Sequence, residues 1–377
     1  MSGMSKLGVV IIGRNEGARL GACMASVRKS QGFEGEGPGG ATGGGIPIVY
    51  VDSASTDDSV ALAREAGARI VELDVTRPFT AARARNAGAE ALFASFPDVE
   101  YVQFLDGDTE LDGTWLKHGC DYLDHHAGIA VVSGRCRERF PEATVYNLLG
   151  DMEWDAPVGP ATEFGGNAMI RAGVFKELGG FSGHFIAGEE PELAARMRLA
   201  GLKIMRLNHE MVLHDLAMTR FGQWWRRTTR SGHALAQLHH THGGAPLRMY
   251  RKQWRSTLVW TLGPPVLAAA LAATVSVWCL LLMPAAYVAL WAKIARQRIG
   301  RDGWYPAVVY GGFITLGKFP QLLGLVKFYR NRWRGRQTAL IEYKRPAGGK
   351  EGGAGAAVSP AAPASENPST APVGNAS

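Results

Sequence analysis

Short apolar runs alternate with mixed stretches along the N-terminal part of this chain. Gly8-Val9-Val10-Ile11-Ile12 ends at Gly13, and Ile46–Val51 (IPIVYV), Arg69–Leu73 (RIVEL) and Tyr101–Leu105 (YVQFL) repeat the pattern. Apolar runs of this length, closed by Gly or Asp, predict buried strands. Ser59–Ala68 and Ala81–Phe93 between them have helical character. The alternation predicts an α/β domain whose mixed, mostly parallel sheet is flanked by helices. Ligands of such sheets bind at the carboxyl ends of the strands, which is where chemistry is to be sought. The run at residue 8 reads as a strand and not as a cleavable leader, so the body is expected on the cytoplasmic side.

The pattern changes at Ser256. Ser256–Ala292 is 37 residues without a charge. As one helix it would run about 55 Å, against a hydrocarbon core of about 30 Å. Gly263-Pro264-Pro265 and Pro284 interrupt it, which predicts two short spans forming a hairpin. Arg248, Arg251, Lys252 and Arg255 precede the run, and Lys293, Arg296, Arg298 and Arg301 follow it. Basic clusters on both flanks place both ends at the cytoplasmic face. Trp254, Trp260, Trp291, Trp304 and Tyr305 suit an interfacial belt. The alternative, a buried soluble helix pair, should show a polar stripe, and the run has none. Trp304–Tyr329 is apolar but carries Lys318 and Lys327, as an interfacial or re-entrant helix would. Arg330, Arg332, Arg334 and Arg336 then suit anionic headgroups.

Charge sharpens this division. The 377 residues carry 41 Lys+Arg and 34 Asp+Glu, a net +7. Residues 1–247 hold 24 basic and 30 acidic side chains, residues 248–345 hold 16 and 2, and residues 346–377 hold 1 and 2. An acidic body followed by a basic membrane segment argues against a nucleic-acid partner and for membrane lipids. The expected organisation is an α/β body at 1–247, basic membrane-anchoring helices at 248–345 (apolar run 256–292, interfacial or re-entrant 304–329) and a disordered tail at 346–377. Residues 31–45 form a Gly-rich stretch without phosphate-cradle spacing and read as a surface loop. Cys23, Cys120, Cys136 and Cys279 lack CxxC spacing, and reduced thiols are expected.

Candidate chemistry lies after the predicted strands. Asp106-Gly107-Asp108 follows YVQFL. Two carboxylates around one small residue can hold Mg²⁺ or Mn²⁺ against a diphosphate, although Asp-Gly is also common in plain turns. Asp52, after the second run, can accept from a base N–H or a ribose hydroxyl, while Ser55 or Thr56 would cap a helix near Asp58. Glu189, Glu190 and Glu192 precede a helical stretch and have a plain alternative as first-turn acids, with Pro191 near the helix start. Arg83 and Arg85 have a solvated helix face as theirs, and His239, His240 and His242 read as a polar loop near the membrane.

Six pieces in fixed order carry a resemblance. They are VVIIGRNE (Val9–Glu16), VDSASTDDS (Val51–Ser59), ARARNAG (Ala82–Gly88), FLDGDTEL (Phe104–Leu111), GGNAMIRAGVFKELGGF (Gly165–Phe181) and AGEEPELAARMRLAG (Ala187–Gly201). Residues 8–215 resemble a family 2 glycosyltransferase with the GT-A fold, of the membrane-anchored bacterial type. The resemblance implies that the Gly13–Glu16 loop, with Arg14 and Glu16, and Asp52 hold the nucleotide's base and ribose. It implies that Arg85 contacts the nucleotide or its phosphates and that Asp106 touches ribose or metal. It further implies metal ligation by Asp108, with His214 beside it, and Glu190 as catalytic base. Glu189-Glu190 stands where the family usually has Glu-Asp, and Arg14 where an aromatic is frequent. Gln223-Trp224-Trp225-Arg226-Arg227 matches only part of the QxxRW motif of processive synthases.

The expected activity is metal-dependent, inverting transfer of a sugar from a nucleotide-diphosphate donor to a membrane-presented hydroxyl acceptor. A lipid-linked or other glycan of polysaccharide or glycolipid synthesis is the expected acceptor. The expected place is the cytoplasmic (inner) membrane, with the body on its cytoplasmic face. Transfer to a polyprenyl phosphate is the alternative within the class. A nucleotidyltransferase and a non-catalytic membrane scaffold are the alternatives outside it.

Overall fold

A computed structural model describes residues 6–30 and 45–336. The Gly-rich stretch up to residue 44 and the expected tail at 346–377 lie outside the described residues. The body begins with β1 (Leu7–Gly13), α1 (Ala18–Arg28), β2 (Ile48–Asp52), α2 (Ser59–Glu65), β3 (Arg69–Glu72), α3 (Ala81–Ser95) and β4 (Tyr101–Asp106). It continues with β5 (Thr109–Leu111), α4 (Trp115–His125), β6 (Ile129–Glu138), α5 (Val145–Trp154), β7 (Gly159–Ala161) and β8 (Ala168–Arg171). Then come α6 (Ala172–Glu177), α7 (Glu189–Leu199), β9 (Lys203–His214) and α8 (Phe221–His242). The strands form one sheet in the order β3-β2-β1-β4-β8-β6-β9-β5, with β7 on β9. β3, β2, β1 and β4 are parallel; β8 runs antiparallel between β4 and β6.

Alternate strand residues serve opposite faces. Val9, Ile11, Tyr50, Tyr101 and Leu105 join the core on one side, and Val10, Val49, Val51, Val102 and Phe104 join the other. Both faces are therefore covered, which explains why these strands read as continuous apolar runs. α3 lies close over β1 and β2 because Gly88 leaves room. A Cβ there would sit 2.4 Å from Val10 Cγ1 and 2.7 Å from Val51 Cγ2. That close approach seats Arg85, one turn earlier on the same helix, under the carboxyl ends of the strands.

The C-terminal helices are α9 (Arg251–Thr274), α10 (Leu282–Asp302) and α11 (Trp304–Trp333), with a 3₁₀ turn, Val277–Leu281, before α10. Two stretches, Arg251–Thr274 and Val277–Asp302, are long and apolar enough to cross a membrane, with mean hydropathies of 1.4 and 1.7. Most of their surface is exposed, which is not how core helices of a soluble protein sit. The hairpin forms, but its break lies at residues 275–276, not at Gly263-Pro264-Pro265. Both prolines lie inside α9. Pro264 has no N–H to give the Trp260 carbonyl, and the Tyr287 hydroxyl of α10 donates to that carbonyl instead, at 3.0 Å. A neighbouring helix thus satisfies the freed acceptor and the helix continues.

α11 is one continuous helix with Pro320 inside it. It packs along α8 and α10. Glycines set the α8–α11 approach: a Cβ at Gly232 would lie 2.2 Å from the Gln321 carbonyl, and one at Gly324 would lie 2.2 Å from that of Thr229. α8 also meets the body, where its Trp224 clusters with Leu149 of α5 and with Leu216 and Met218. His239, His240 and His242 are the last turn of α8 rather than a loop. His239 stacks on Trp254 at 5.0 Å, and His242 Nε2 lies 3.5 Å from Glu192.

Candidate functional site

Three adjacent strand ends define the site. Register pairs Gly13 with Asp52 and Ile12 with Asp106, so the Gly13–Glu16 loop, Asp52 and the Asp106-Gly107-Asp108 turn share one edge. β5 then crosses to the far side of the sheet, where Thr109 pairs with His214 at the end of β9. The short turn thereby brings residues 106–108 against a histidine more than a hundred positions later.

Asp106, Asp108 and His214 each offer a ligand atom, all within 4.8 Å of one another. His214 Nε2 lies 3.2 Å from Asp108 Oδ1, and Asp108 is 5% exposed. Two carboxylate oxygens and one imidazole nitrogen form a donor set that fits Mn²⁺, and Mg²⁺ if water completes the shell. The Asp106 N–H donates to Asn167 Oδ1 at 3.0 Å, which fixes the start of the turn from β8. The His214 ring stacks on Trp154, with centroids 4.6 Å apart and planes 8° apart.

Arg85 is the hub of the acidic edge. Its Nη1 donates to Glu189 Oε1 at 3.0 Å and Glu190 Oε1 at 2.9 Å, and its Nη2 to Asp106 Oδ1 at 2.9 Å. The guanidinium is 3% exposed, so the solvated-face alternative does not hold for it. Burial alone would lower its pKa, but the three carboxylates outweigh burial and raise it. Glu189 and Glu190 open α7, whose N-terminal end favours negative charge, and Pro191 stands third in that helix. Burial and the neighbouring Glu189 charge push Glu190 up to about 7, against the pull of Arg85. Such a carboxyl is poised to exchange a proton near neutrality.

Gly166 makes the space for this hub. A Cβ there would lie 2.2 Å from Arg85 Nη2 and 3.2 Å from Asp106 Oδ2. Arg85 is triply paired and cannot yield cheaply. Gly166→Ala is therefore expected to cost about 1–3 kcal/mol, seen as a lower melting temperature, together with a loss of turnover of more than about tenfold.

Asp52 is 3% exposed and accepts from the Tyr50 hydroxyl at 3.1 Å and the Ser55 N–H at 2.8 Å. The expected cap by Ser55 or Thr56 is not formed. Ser55 Oγ instead accepts from the Asn15 N–H at 2.9 Å, and the Thr56 N–H donates to Asn15 Oδ1 at 2.7 Å. The two loops are thus sewn together, with Asn15 at φ +56°. Glu16 pairs with Arg19 at 2.7 Å, and its N–H donates to Ser59 Oγ at 3.1 Å. Arg14 is exposed, with its guanidinium 5.6 Å from the centre of the Phe79 ring. The predicted residues thus fall into two groups on one edge: Arg14, Glu16 and Asp52 on the β1–β2 side, and Arg85, Asp106, Asp108, Glu190 and His214 around the turn. The sequence reading missed Trp154, Asn167 and Gly166. Gly165-Gly166-Asn167 stood inside a matched piece; nothing local marked Trp154.

Residues 8–185 match the glycosyl transferase family 2 model, and residues 151–220 match the model described as the N-terminal domain of galactosyltransferase. No curated protein matches the chain in sequence. Among solved structures, mannosyltransferase PcManGT from Pyrobaculum calidifontis, in complex with GDP-Man and Mn²⁺, is similar at 17% identity and a TM-score of 0.54. The match covers 87% of this chain and 88% of that one. It therefore extends beyond the body into the C-terminal helices. Glucosyl-3-phosphoglycerate synthase from Mycobacterium tuberculosis, in complex with Mg²⁺ and UDP, is 21% identical over 63% of this chain and 79% of its own, with a TM-score of 0.45. Sheet and site together define a glycosyltransferase with the GT-A fold. Residues 8–185, which hold most of the sheet and of the site, form a glycosyl transferase family 2 domain.

Proposed function

We propose that this enzyme is a metal-dependent, inverting glycosyltransferase. It takes a sugar from a nucleotide-diphosphate donor and gives it to a hydroxyl acceptor presented at the membrane, as in assembly of a lipid-linked polysaccharide or glycolipid. The observation that carries the reading is the meeting of two sets of groups at one edge: the Asp106–Asp108–His214 cluster and the Arg85-held Glu190. A divalent cation held by that cluster would supply neutralisation of the leaving diphosphate. Asp52 and the Arg14–Glu16 loop bind and orient the nucleoside, and Arg85 fixes Asp106 and Glu190 relative to each other. Glu190 takes the acceptor's proton at its carboxylate. One base with direct attack by the acceptor inverts the anomeric centre, whereas retention would need a carboxylate nucleophile. The GDP-Man and Mn²⁺ of the solved mannosyltransferase support a nucleotide-diphosphate donor and a divalent cation here as well.

Both ends of the apolar hairpin touch the body. Tyr250, just before α9, donates to Glu163, and Arg301 near the end of α10 bonds Asp155. With the basic flanks, this supports a body on the cytoplasmic face with both hairpin ends beside it. A cysteine at position 303, in a Cys279→Ser background, is expected to react with an impermeant thiol reagent only in inside-out vesicles. Labelling from the opposite side overturns the topology. For the activity, nucleotide sugars are offered with Mn²⁺ or Mg²⁺ and membrane lipid extract as acceptor. Metal-dependent release of a nucleoside diphosphate from one donor is expected; pyrophosphate release, or none from any donor, overturns the reading.

A further inference from the structure

The carboxyl end of α5 is where the hairpin meets the site. Five arginines from four elements converge on residues 152–155. Arg227 of α8 donates to Glu153 Oε2 at 2.7 Å, and Arg206 of β9 to the Trp154 carbonyl at 2.9 Å. Arg135 of β6 pairs with the Asp155 carboxylate at 3.5 Å. Arg301 of α10 bonds both the carboxylate and the carbonyl of Asp155. Arg298 donates to the Met152 carbonyl at 3.4 Å and is oriented by Asp302 at 2.5 Å. The last carbonyls of a helix lack intrahelical partners and carry the negative end of its dipole, so guanidinium donors suit them. Held in this clamp, the Trp154 indole lies parallel to the His214 imidazole, whose Nε2 faces Asp108.

We propose that Trp154 is a positioning residue for His214, and that the returning end of the hairpin holds it in place through Arg301 on Asp155. The inference rests on Asp106, Asp108 and His214 being cation ligands. A histidine ring has a broad, soft second torsion, and a parallel indole face restricts it to one plane. That plane fixes the direction of Nε2. The indole face also favours an imidazole made more cationic by a bound metal. Groups that orient a ligating imidazole typically change metal affinity by about 10–100-fold. A contact made by the membrane segment therefore tunes the cluster, and the anchor does more than tether the body.

The test is Mn²⁺ binding by calorimetry to the full chain in detergent micelles, without donor or acceptor. Melting temperature in EDTA is measured alongside. Trp154→Ala is expected to weaken Mn²⁺ binding about tenfold, and Trp154→Phe, which keeps a ring face, to recover most of it. Arg301→Ala and Asp155→Ala should weaken it in the same direction and by less, with the double variant no weaker than the stronger single one. Should Trp154→Ala fail to fold, Trp154→Leu keeps apolar volume without a ring and carries the same expectation. Wild-type affinity in the unstacked variant overturns the role of Trp154, and wild-type affinity in Arg301→Ala overturns that of the hairpin. A wild-type chain that binds no Mn²⁺ overturns the metal reading itself, which is a separate result.

Discussion

Asp108→Ala is expected to lower sugar transfer by about 100-fold or more, at Mn²⁺ levels that saturate the wild type. Asp108 is the most buried carboxylate of the cluster and lies 3.2 Å from His214 Nε2. Its removal leaves Asp106 and His214, and Asp106 is already engaged by Arg85. The remaining set is too poor in negative charge to hold a hard cation against a diphosphate. The backbone carbonyl of Asp108 accepts from the Asp215 N–H at 3.1 Å and is untouched by the substitution, so the turn keeps its place. The measurement is diphosphate release against Mn²⁺ concentration, with melting temperature as control. Loss of turnover with an unchanged melting temperature is the expected pair. A variant with wild-type turnover would sink the assignment.

Glu190→Gln is expected to remove about 10²–10⁴-fold of the rate, the usual share of a general base. The sign of its pH dependence follows from its surroundings. Burial and Glu189 raise the carboxyl to about 7, so the ionised form, which takes the proton, grows in as pH rises through that value. kcat/KM should climb through pH 7, and the climb should vanish in the variant. Stability runs the other way. A carboxyl whose folded-state pKa lies above its unfolded one favours the fold most below the unfolded value, and that contribution is lost as pH rises through about 7. Glu190→Gln should therefore be at least as stable as the wild type at pH 8, while Glu189 and Asp106 still balance Arg85. Full turnover in the variant would point to an acceptor that is already an anion, such as a polyprenyl phosphate.

Much of the site was legible because its parts sit at strand ends. An apolar run closed by Asp marks such an end by periodicity alone, and this found Asp52, Asp106 and Asp108. Other features were left open or misread for a physical reason. For Arg85 the sequence left a solvated helix face beside the role the resemblance implies, since burial depends on how closely α3 meets β1 and β2, and that depends on Gly88. Pro264-Pro265 looked like a break, since the acceptor they free is satisfied by Tyr287 from another helix.

By itself the sequence determined the first four strands with the helices that follow the second and third of them, the apolar hairpin with basic flanks, and the candidate groups at the strand ends. These depend on local period, local charge and residue type, which neighbours along the chain carry. Only the tertiary structure decided which groups meet. Asp108 faces His214 because β5 pairs with β9, Arg85 gathers Glu189, Glu190 and Asp106 because α3 and α7 converge on one edge, and Trp154 covers His214 at the end of α5 where five arginines meet. Such contacts join residues far apart in sequence, and their energy comes from strand pairing and close packing, which no local pattern encodes.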